Sequence, residues 1–442
     1  MTDAVLGAAD RSVSPLGAGV PDRPGRDEPV HRLVVAVFQA LDAGGVRWAL
    51  LRGAGRLSGR RGDIDLLVDP ADLPVVRRLV APIGWGEVPA PGHGSHLFFL
   101  GYDAAQDLWL RLDVVSTLAF GRHQELRALA ASEALARRRT GTFAWGLEAS
   151  DAFWALVLHH ALDRAPLDAE KRVDLRAAAR RAELGGPVAE RVVATVGLVL
   201  TERLYRAARG DSQVDLDEAM AQVERVWRRR AGWRPVLLRT ADRVSGRLSR
   251  VLPGRRGPGL TVAILGPDGA GKSTLVAALV AQLPWGTRTY YMGVLRTRPM
   301  ARRLRAVPGL MLVVRLVAFR GRCALAAHHR RRGQVVLFDR YSYDALLPVA
   351  RSSLRGRASA ALILALCPPP DATVLLDCPA EVMWARKQEL GLARLADFRQ
   401  RYLAIAAGLP DVLVVDATLP RAVVRRQVTE MLWMRLRQGT PP

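Results

Sequence analysis

The sequence predicts an α/β protein whose second half is a doubly wound parallel sheet, preceded by a small α+β domain and a helical region. Three observations carry this. A glycine-rich turn, Gly266 to Ser273, joins a buried apolar run to a helical pattern. From that turn to Trp433, apolar runs alternate with helical spacing, the pattern of a parallel sheet. Before it, short strand-like runs end near Trp145, and Asp151 to Arg250 keeps only helical spacing. A chain of 442 residues is also too long for one ordinary core.

Taken in order, residues 1–29 carry Asp3, Asp10, Asp22, Asp27 and Glu28 among Pro and Gly, without an apolar signal core, and read as a disordered lead-in. Residues 30–145 open with an apolar-periodic helix, His31 to Leu41. Strands follow at Val46 to Leu51, Ile64 to Val68, Leu97 to Leu100 and Leu108 to Val115, a small mixed sheet. Residues 146–250 repeat apolar positions at helical spacing (Phe153, Leu156, Val157, His160, Leu162) and predict several helices. Pro253, Gly254, Gly257, Pro258 and Gly259 mark 251–259 as a linker. In 260–438, strands are expected at Thr261 to Leu265, Val335 to Phe338, Ala372 to Leu376 and Val412 to Val415. Helices are expected at Leu275 to Leu283, Ala380 to Glu389 and Phe398 to Ala407, and a more apolar one at Pro308 to Phe319.

The formal charge is +23, and the only lysines are Lys171, Lys272 and Lys387, an arginine excess in keeping with codon bias. The charge is uneven: no acidic residue lies between Asp268 and Asp339, whereas twelve arginines fall from Arg288 to Arg332. Beside a phosphate loop, such a field favours small phosphorylated ligands over nucleic acid, and leaves peripheral contact with an anionic membrane open. Cys323, Cys367 and Cys378 form no CxxC pair, which points to a reducing cytoplasm and away from zinc or a disulfide framework. The longest apolar stretch, Val307 to Phe319, is broken by Arg315 and is too short to span a membrane.

The chemistry is written most plainly in Gly266-Pro267-Asp268-Gly269-Ala270-Gly271-Lys272-Ser273-Thr274. Polyphosphate oxygens need several backbone N–H groups at once, and glycines let the main chain curl close to them. The helix starting near Lys272 turns its positive end to the same charge. Lys272 reaches the terminal phosphates and the Ser273 hydroxyl can ligate Mg²⁺. ATP and Mg²⁺ are therefore the expected cofactors. Asp339, closing a strand, is a second Mg²⁺ ligand, and Arg340 can bridge donor and acceptor phosphates. Asp416 and Ala417, at the end of the last strand, fall where such folds pack a purine base.

On these residues, with Leu376-Asp377-Cys378-Pro379-Ala380-Glu381-Val382 and Phe398-Arg399-Gln400-Arg401-Tyr402, the segment from about Gly259 to Leu436 resembles the thymidylate kinase family. The resemblance implies that Asp268 faces the acceptor's sugar hydroxyl and Arg340 its phosphate. It also implies a catalytic arginine in the loop or in a mobile lid. Gly269 and Ala270 leave none in the loop, so Arg386, Lys387 and Arg394 are the lid candidates, with Arg394 preferred. The chain departs from the family after the first helix, where Tyr290-Tyr291-Met292-Gly293 replaces an Arg-Glu-Pro-Gly-Gly type segment. Tyr290, Tyr291, Arg296 and Arg298 either receive the acceptor or, for the tyrosines, pack a strand end. The lid also lacks the family's usual acidic pattern.

A second constellation lies near the start. Asp63 and Asp65 alternate on one strand and so share a face, and Asp113 on a later strand can complete a three-carboxylate metal site. With Leu50-Leu51-Arg52-Gly53-Ala54-Gly55, this is similar to the polymerase-β type of nucleotidyltransferase, although Gly53-Ala54 stands where that superfamily has Gly-Ser. The alternative is a solvated acidic pair at a strand end. His159 and His160 are adjacent on a helix, about 100° apart, so one belongs to the core and the other to the surface. His93 and His96 lie in a Gly-rich loop, with no role legible.

The expected activity is ATP- and Mg²⁺-dependent phosphorylation of a nucleoside monophosphate, dTMP-like, or of another small phosphorylated acceptor, by a cytoplasmic protein that can form a homodimer. Two alternatives stay open: a nucleotidyltransferase whose phosphate-loop domain senses nucleotide, and a non-enzymatic, ATP-regulated scaffold at an anionic surface.

Overall fold

The computed structural model describes residues 30–442 except 53–56, 58–62, 89–95, 122–123, 142, 164, 166, 212, 234–235, 242, 245–258, 294–309, 348–352 and 439–442. The lead-in, nearly all of the linker, Gly53, Ala54, His93, Arg296 and Arg298 therefore lie outside the described residues.

The first helix, Arg32–Ala43, begins where the His31 ring nitrogen Nδ1 accepts the Leu33 N–H at 3.2 Å, and ends at Gly44. The turn through Gly45, in the left-handed region at φ 67°, uses up Val46, so the strand expected from Val46 starts at Trp48. The strands are β1 (Trp48–Arg52), β2 (Ile64–Val68), β3 (Trp85–Val88), β4 (Leu97–Asp103) and β5 (Leu108–Val115). After them come the hairpin β6 (Thr117–Phe120) with β7 (Leu126–Ala130), and the short β8 (Arg139–Thr140) and β9 (Trp145–Gly146). Seven of these form one mixed sheet in the order β3-β4-β5-β2-β1-β9-β8. β2 runs parallel to β5, and β1 runs antiparallel to β2. One face packs on the first helix through Phe38, whose ring stacks on Trp48 at 4.6 Å.

The helical region follows as expected: Ala149–Leu162, Ala169–Arg181, Pro187–Val196, Leu198–Arg209 and Leu216–Arg230. Its core is built from Phe153, Trp154, Leu158, Leu204 and Trp227, and takes in Leu118, Leu126 and Leu129 of the β6–β7 hairpin.

The second half is the doubly wound sheet. β10 (Leu260–Leu265), β11 (Thr287–Tyr291), β12 (Val335–Asp339), β13 (Ala372–Asp377) and β14 (Val412–Asp416) pair in parallel in the order β11-β12-β10-β13-β14. Alternate residues of β10 enter opposite cores: Val262 and Ile264 one, Ala263 and Leu265 the other. The helix Lys272–Gln282 fills the first core with Leu275, Val276 and Leu279. The helix Leu310–Arg331 fills the second with Phe319, Cys323 and Ala326. Its apolar start is not wholly core: Val313, Val314 and Val317 are exposed. The helix expected over Ala380 to Glu389 stops at Arg386, because Lys387 adopts φ −156°.

The two halves share a core. Leu100 and Tyr102 of β4 are buried in the same cluster as Leu260, Leu279 and Trp433. Trp109 meets Trp285 and Trp433 edge-on at 5.2 and 5.4 Å. Asp107, in the β4–β5 turn, accepts hydrogen bonds from Tyr102 Oη (2.6 Å), from Gln282 Nε2 (2.7 Å) and from the Arg425 guanidinium. Among the described residues no helix is long and apolar enough to cross a membrane.

Candidate active site

In a doubly wound sheet the loops at the carboxyl ends of neighbouring strands converge where the strand order reverses. Here β10 lies between β12 and β13, so the turn after β10 meets the ends of both. That turn is Gly266 to Gly271. Glycine is required at Gly269: φ is 90°, and a Cβ there would lie 2.7 Å from the Met383 carbonyl oxygen. At Gly266 (φ 143°), a Cβ would come within 2.9 Å of the Leu376 oxygen on β13. At these two positions the loop lies against its neighbours with no room for a side chain.

Lys272 is 6% exposed, and its Nζ donates to the carbonyls of Gly266 (2.8 Å) and Pro267 (2.7 Å). Burial, and after it the Arg340 charge, push this ammonium down to about pKa 8, against the pull of Asp268 and Asp339. Beside it, Ser273 Oγ donates to Asp339 Oδ2 at 3.0 Å. Asp339 Oδ1 is buried and has no hydrogen-bond partner among the described residues. A hydroxyl facing a carboxylate that keeps one buried oxygen unpaired is a donor set that fits Mg²⁺, so Ser273 and Asp339 are the residues that would hold it. An ion held there would neutralise negative charge on a bound polyphosphate.

Arg340 follows Asp339 at φ 67°, left-handed for a non-glycine residue, while its N–H bonds Ile264 O at 3.0 Å. This backbone swings the guanidinium back over the loop. Nη2 pairs with Asp268, and Nη1 donates to Asp344 Oδ2 (3.1 Å) and Tyr402 Oη (3.2 Å). Tyr402 Oη in turn donates to Asp344 Oδ1 at 2.8 Å. Burial opposes the Arg340 charge, but Tyr402, Asp344 and Asp268 more than offset it and hold its pKa above the ordinary value. Lys272, Ser273, Asp268, Asp339 and Arg340, expected to act together, are therefore adjacent. The parts Asp344 and Tyr402 play here were missed. Only the four-residue spacing of Asp344 from Arg340 signalled the former, and nothing in the local sequence ties helix Leu392–Ala407 to that arginine.

The other expected residues are more scattered. Asp416 ends β14 opposite Asp377 and is capped by Thr418 N (2.8 Å) and Thr418 Oγ1 (2.6 Å), and Ala417 N donates to Asp377 O at 2.7 Å. Arg386 Nη2 donates to Ala417 O at 3.0 Å. Lys387 pairs with Glu389 at 3.1 Å. Arg394, the preferred lid residue, is exposed, with its guanidinium 5.6 Å from the Phe398 ring centre. Tyr290 and Tyr291 close β11 at the sheet edge, and Tyr290 lies 6.3 Å from the ring of Phe338.

In the first half, Asp65 and Asp113 stand in register on the parallel strands β2 and β5. Asp113 Oδ1 lies 2.5 Å from His96 Nδ1, and Asp63 Oδ2 lies 3.5 Å from Arg111 Nη1. Among the described residues, no group of three or more His, Cys, Asp or Glu side chains is close enough to hold a metal ion. His160 is buried with Nδ1 3.2 Å from Ala165 O, while His159 sits at the half-exposed surface 2.7 Å from Asp163, the split expected of adjacent helical residues.

A thymidylate kinase of Xanthomonas campestris pv. campestris (strain B100) is 34% identical over 209 residues, a match taking in 41% of this chain and 88% of that protein. Through this stretch the chain belongs to the thymidylate kinase family. A probable thymidylate kinase of Pyrobaculum aerophilum is 29% identical over 194 residues, covering 39% of this chain and 95% of that one. Among solved structures, a deoxyadenosine kinase from M. mycoides aligns over 39% of this chain and 98% of its own, at 16% identity and a TM-score of 0.29. No family model matches the chain. The thymidylate kinase match is the size of the phosphate-loop half alone.

Proposed function

We propose that the second half of the chain catalyses ATP- and Mg²⁺-dependent phosphoryl transfer to a nucleoside monophosphate or another small phosphorylated acceptor. The observation that carries this is one hydrogen-bonded network joining Asp268 of the phosphate loop to Arg340, next to the Ser273–Asp339 pair. Phosphoryl transfer needs little covalent help and much positioning of charge. Lys272, loop amides and Mg²⁺ on Ser273 and Asp339 take the donor phosphates. Arg340 takes the acceptor phosphate, and Asp268 faces the acceptor's hydroxyl. Membership of the thymidylate kinase family supports the reaction class, and a dTMP-like acceptor is the first to try.

The test is a screen of labelled ATP against nucleoside monophosphates and sugar phosphates, with Lys272→Ala and Asp63→Ala beside the parent. Transfer lost in the first variant alone supports the kinase. A second reading, nucleotidyl transfer at Asp63, Asp65 and Asp113, has the register of Asp65 with Asp113 in its favour and, against it, that among the described residues no three such side chains form a metal-holding group. It is supported only if nucleotidyl transfer is found and Asp63→Ala abolishes it. ATP binding with no turnover on any acceptor would overturn both.

A further inference from the structure

Arg340 is held from two sides by partners of different character. Behind it, Asp344 belongs to the turn Ser342–Leu346 and its side chain is 1% exposed; Tyr402 belongs to the helix Leu392–Ala407 and is 2% exposed. With Nη1 the two close a triangle in which every bond is between groups of opposite need: guanidinium to carboxylate, guanidinium to phenol oxygen, phenol O–H to carboxylate. In front, Nη2 meets Asp268, whose side chain is 39% exposed and sits on the glycine-bounded loop.

We propose that Asp344 and Tyr402 are positioning residues that hold the Arg340 guanidinium ready for the acceptor's phosphate, and that Asp268 is the partner this phosphate displaces. The inference rests on the kinase reading above and goes beyond it. A buried carboxylate near a phosphate site repels the ligand, so Asp344 is useful there only through what it holds. It holds an arginine whose backbone is already left-handed and whose side chain would otherwise have several rotamers. With Nη1 committed to the rear, the remaining N–H groups keep a fixed direction toward the loop. A phosphate dianion is a stronger partner for them than one carboxylate, because charge and paired N–H···O geometry both favour it. The exchange frees Asp268 to accept the hydrogen bond of the acceptor hydroxyl. Binding the acceptor thereby sets the carboxylate facing it.

The triangle would exist equally if it only tied helix Leu392–Ala407 to the end of β12, so the experiment must separate the two roles. Tyr402→Phe keeps the ring in its core and Asp344→Asn keeps the volume. In steady-state assays with dTMP, or with whichever monophosphate turns over in the screen, each variant is expected to lower kcat/KM for the acceptor about tenfold or more. The KM for ATP should stay within about twofold. Calorimetry with inorganic phosphate supplies a second readout that needs no turnover, the phosphate loop being filled with Mg²⁺ and a non-hydrolysable ATP analogue. There both variants should weaken phosphate binding, whereas Asp268→Asn should tighten it. Equal losses for ATP and acceptor, or unchanged acceptor kinetics in folded Tyr402→Phe protein, overturn the positioning role. Weaker phosphate binding in Asp268→Asn overturns the displacement. If Asp344→Asn does not fold, Tyr402→Phe decides alone. A parent protein with no acceptor turnover would sink the kinase reading and leave the phosphate titration to test this one.

Discussion

At the scale of single residues, Lys272 sets the pH behaviour. In the free protein its ammonium, pushed down to about 8, is complete only below that pH and is lost as pH rises through it. Bound phosphate favours the charged form and raises the pKa. Nucleotide binding should therefore take up a proton between about pH 8 and 10 and weaken over that range. Calorimetry in two buffers of unequal ionisation enthalpy measures the uptake; its absence would mean that Lys272 is already charged throughout. The same depression bears on folding. A folded pKa below the ordinary 10.5 puts a cost on the ligand-free fold that is full below about pH 8 and is relieved as pH climbs toward 10.5, of the order of 3 kcal/mol before its two carbonyl hydrogen bonds offset it. Lys272→Met should accordingly leave the melting temperature of the ligand-free protein near or above that of the parent while removing the thermal shift produced by Mg-ATP.

At the scale of elements, the phosphate loop is fixed by what surrounds it. Gly269→Ala would set a Cβ 2.7 Å from the Met383 oxygen at φ 90°. It should destabilise the protein by about 1–3 kcal/mol and abolish ATP binding, as read by denaturant melts and calorimetry. The central parallel strands β10, β12 and β13 were legible because each is a short apolar run buried on both faces, and β2 and β5 matched their expected bounds residue for residue, whereas the edge strand β11, polar and half exposed, was not expected. Where a turn lacked such contrast, the sequence was mute. β3 has two apolar residues, Trp85 and Val88, and β6 and β7 alternate weakly, so none of these strands was expected. The same limit applied at the site. That Lys272, Ser273, Asp339 and Arg340 come together was readable because each sits in or beside the turn after β10 or at the end of β12. Asp344 and Tyr402 become visible only when a helix sixty residues away folds back onto β12. The expected lid arginine stayed the least legible, since Arg394 is exposed and no packing pattern sets it apart from Arg386 or Lys387.

At the scale of the molecule, the β4–β5 hairpin is as much part of the phosphate-loop half as of its own sheet. Trp433 is 5% exposed, buried in the core that Tyr102 and Leu279 share, and donates its indole N–H to Gly84 O at 3.2 Å. Trp433→Ala should cost about 3–5 kcal/mol and, by emptying the junction, split one calorimetric unfolding transition into two. A single transition with only a lowered midpoint would show that the halves stay coupled through Asp107. The shared tryptophans also govern how this polypeptide can be dissected. Cutting the chain near Gly259 to obtain the kinase-like half alone would bare Trp285, Trp433 and the basic Arg425 on one flank, a sticky, half-charged scar where a neighbour once sat. Such a fragment should precipitate or self-associate unless those positions are first made polar, so in this protein the family's catalytic unit is not portable.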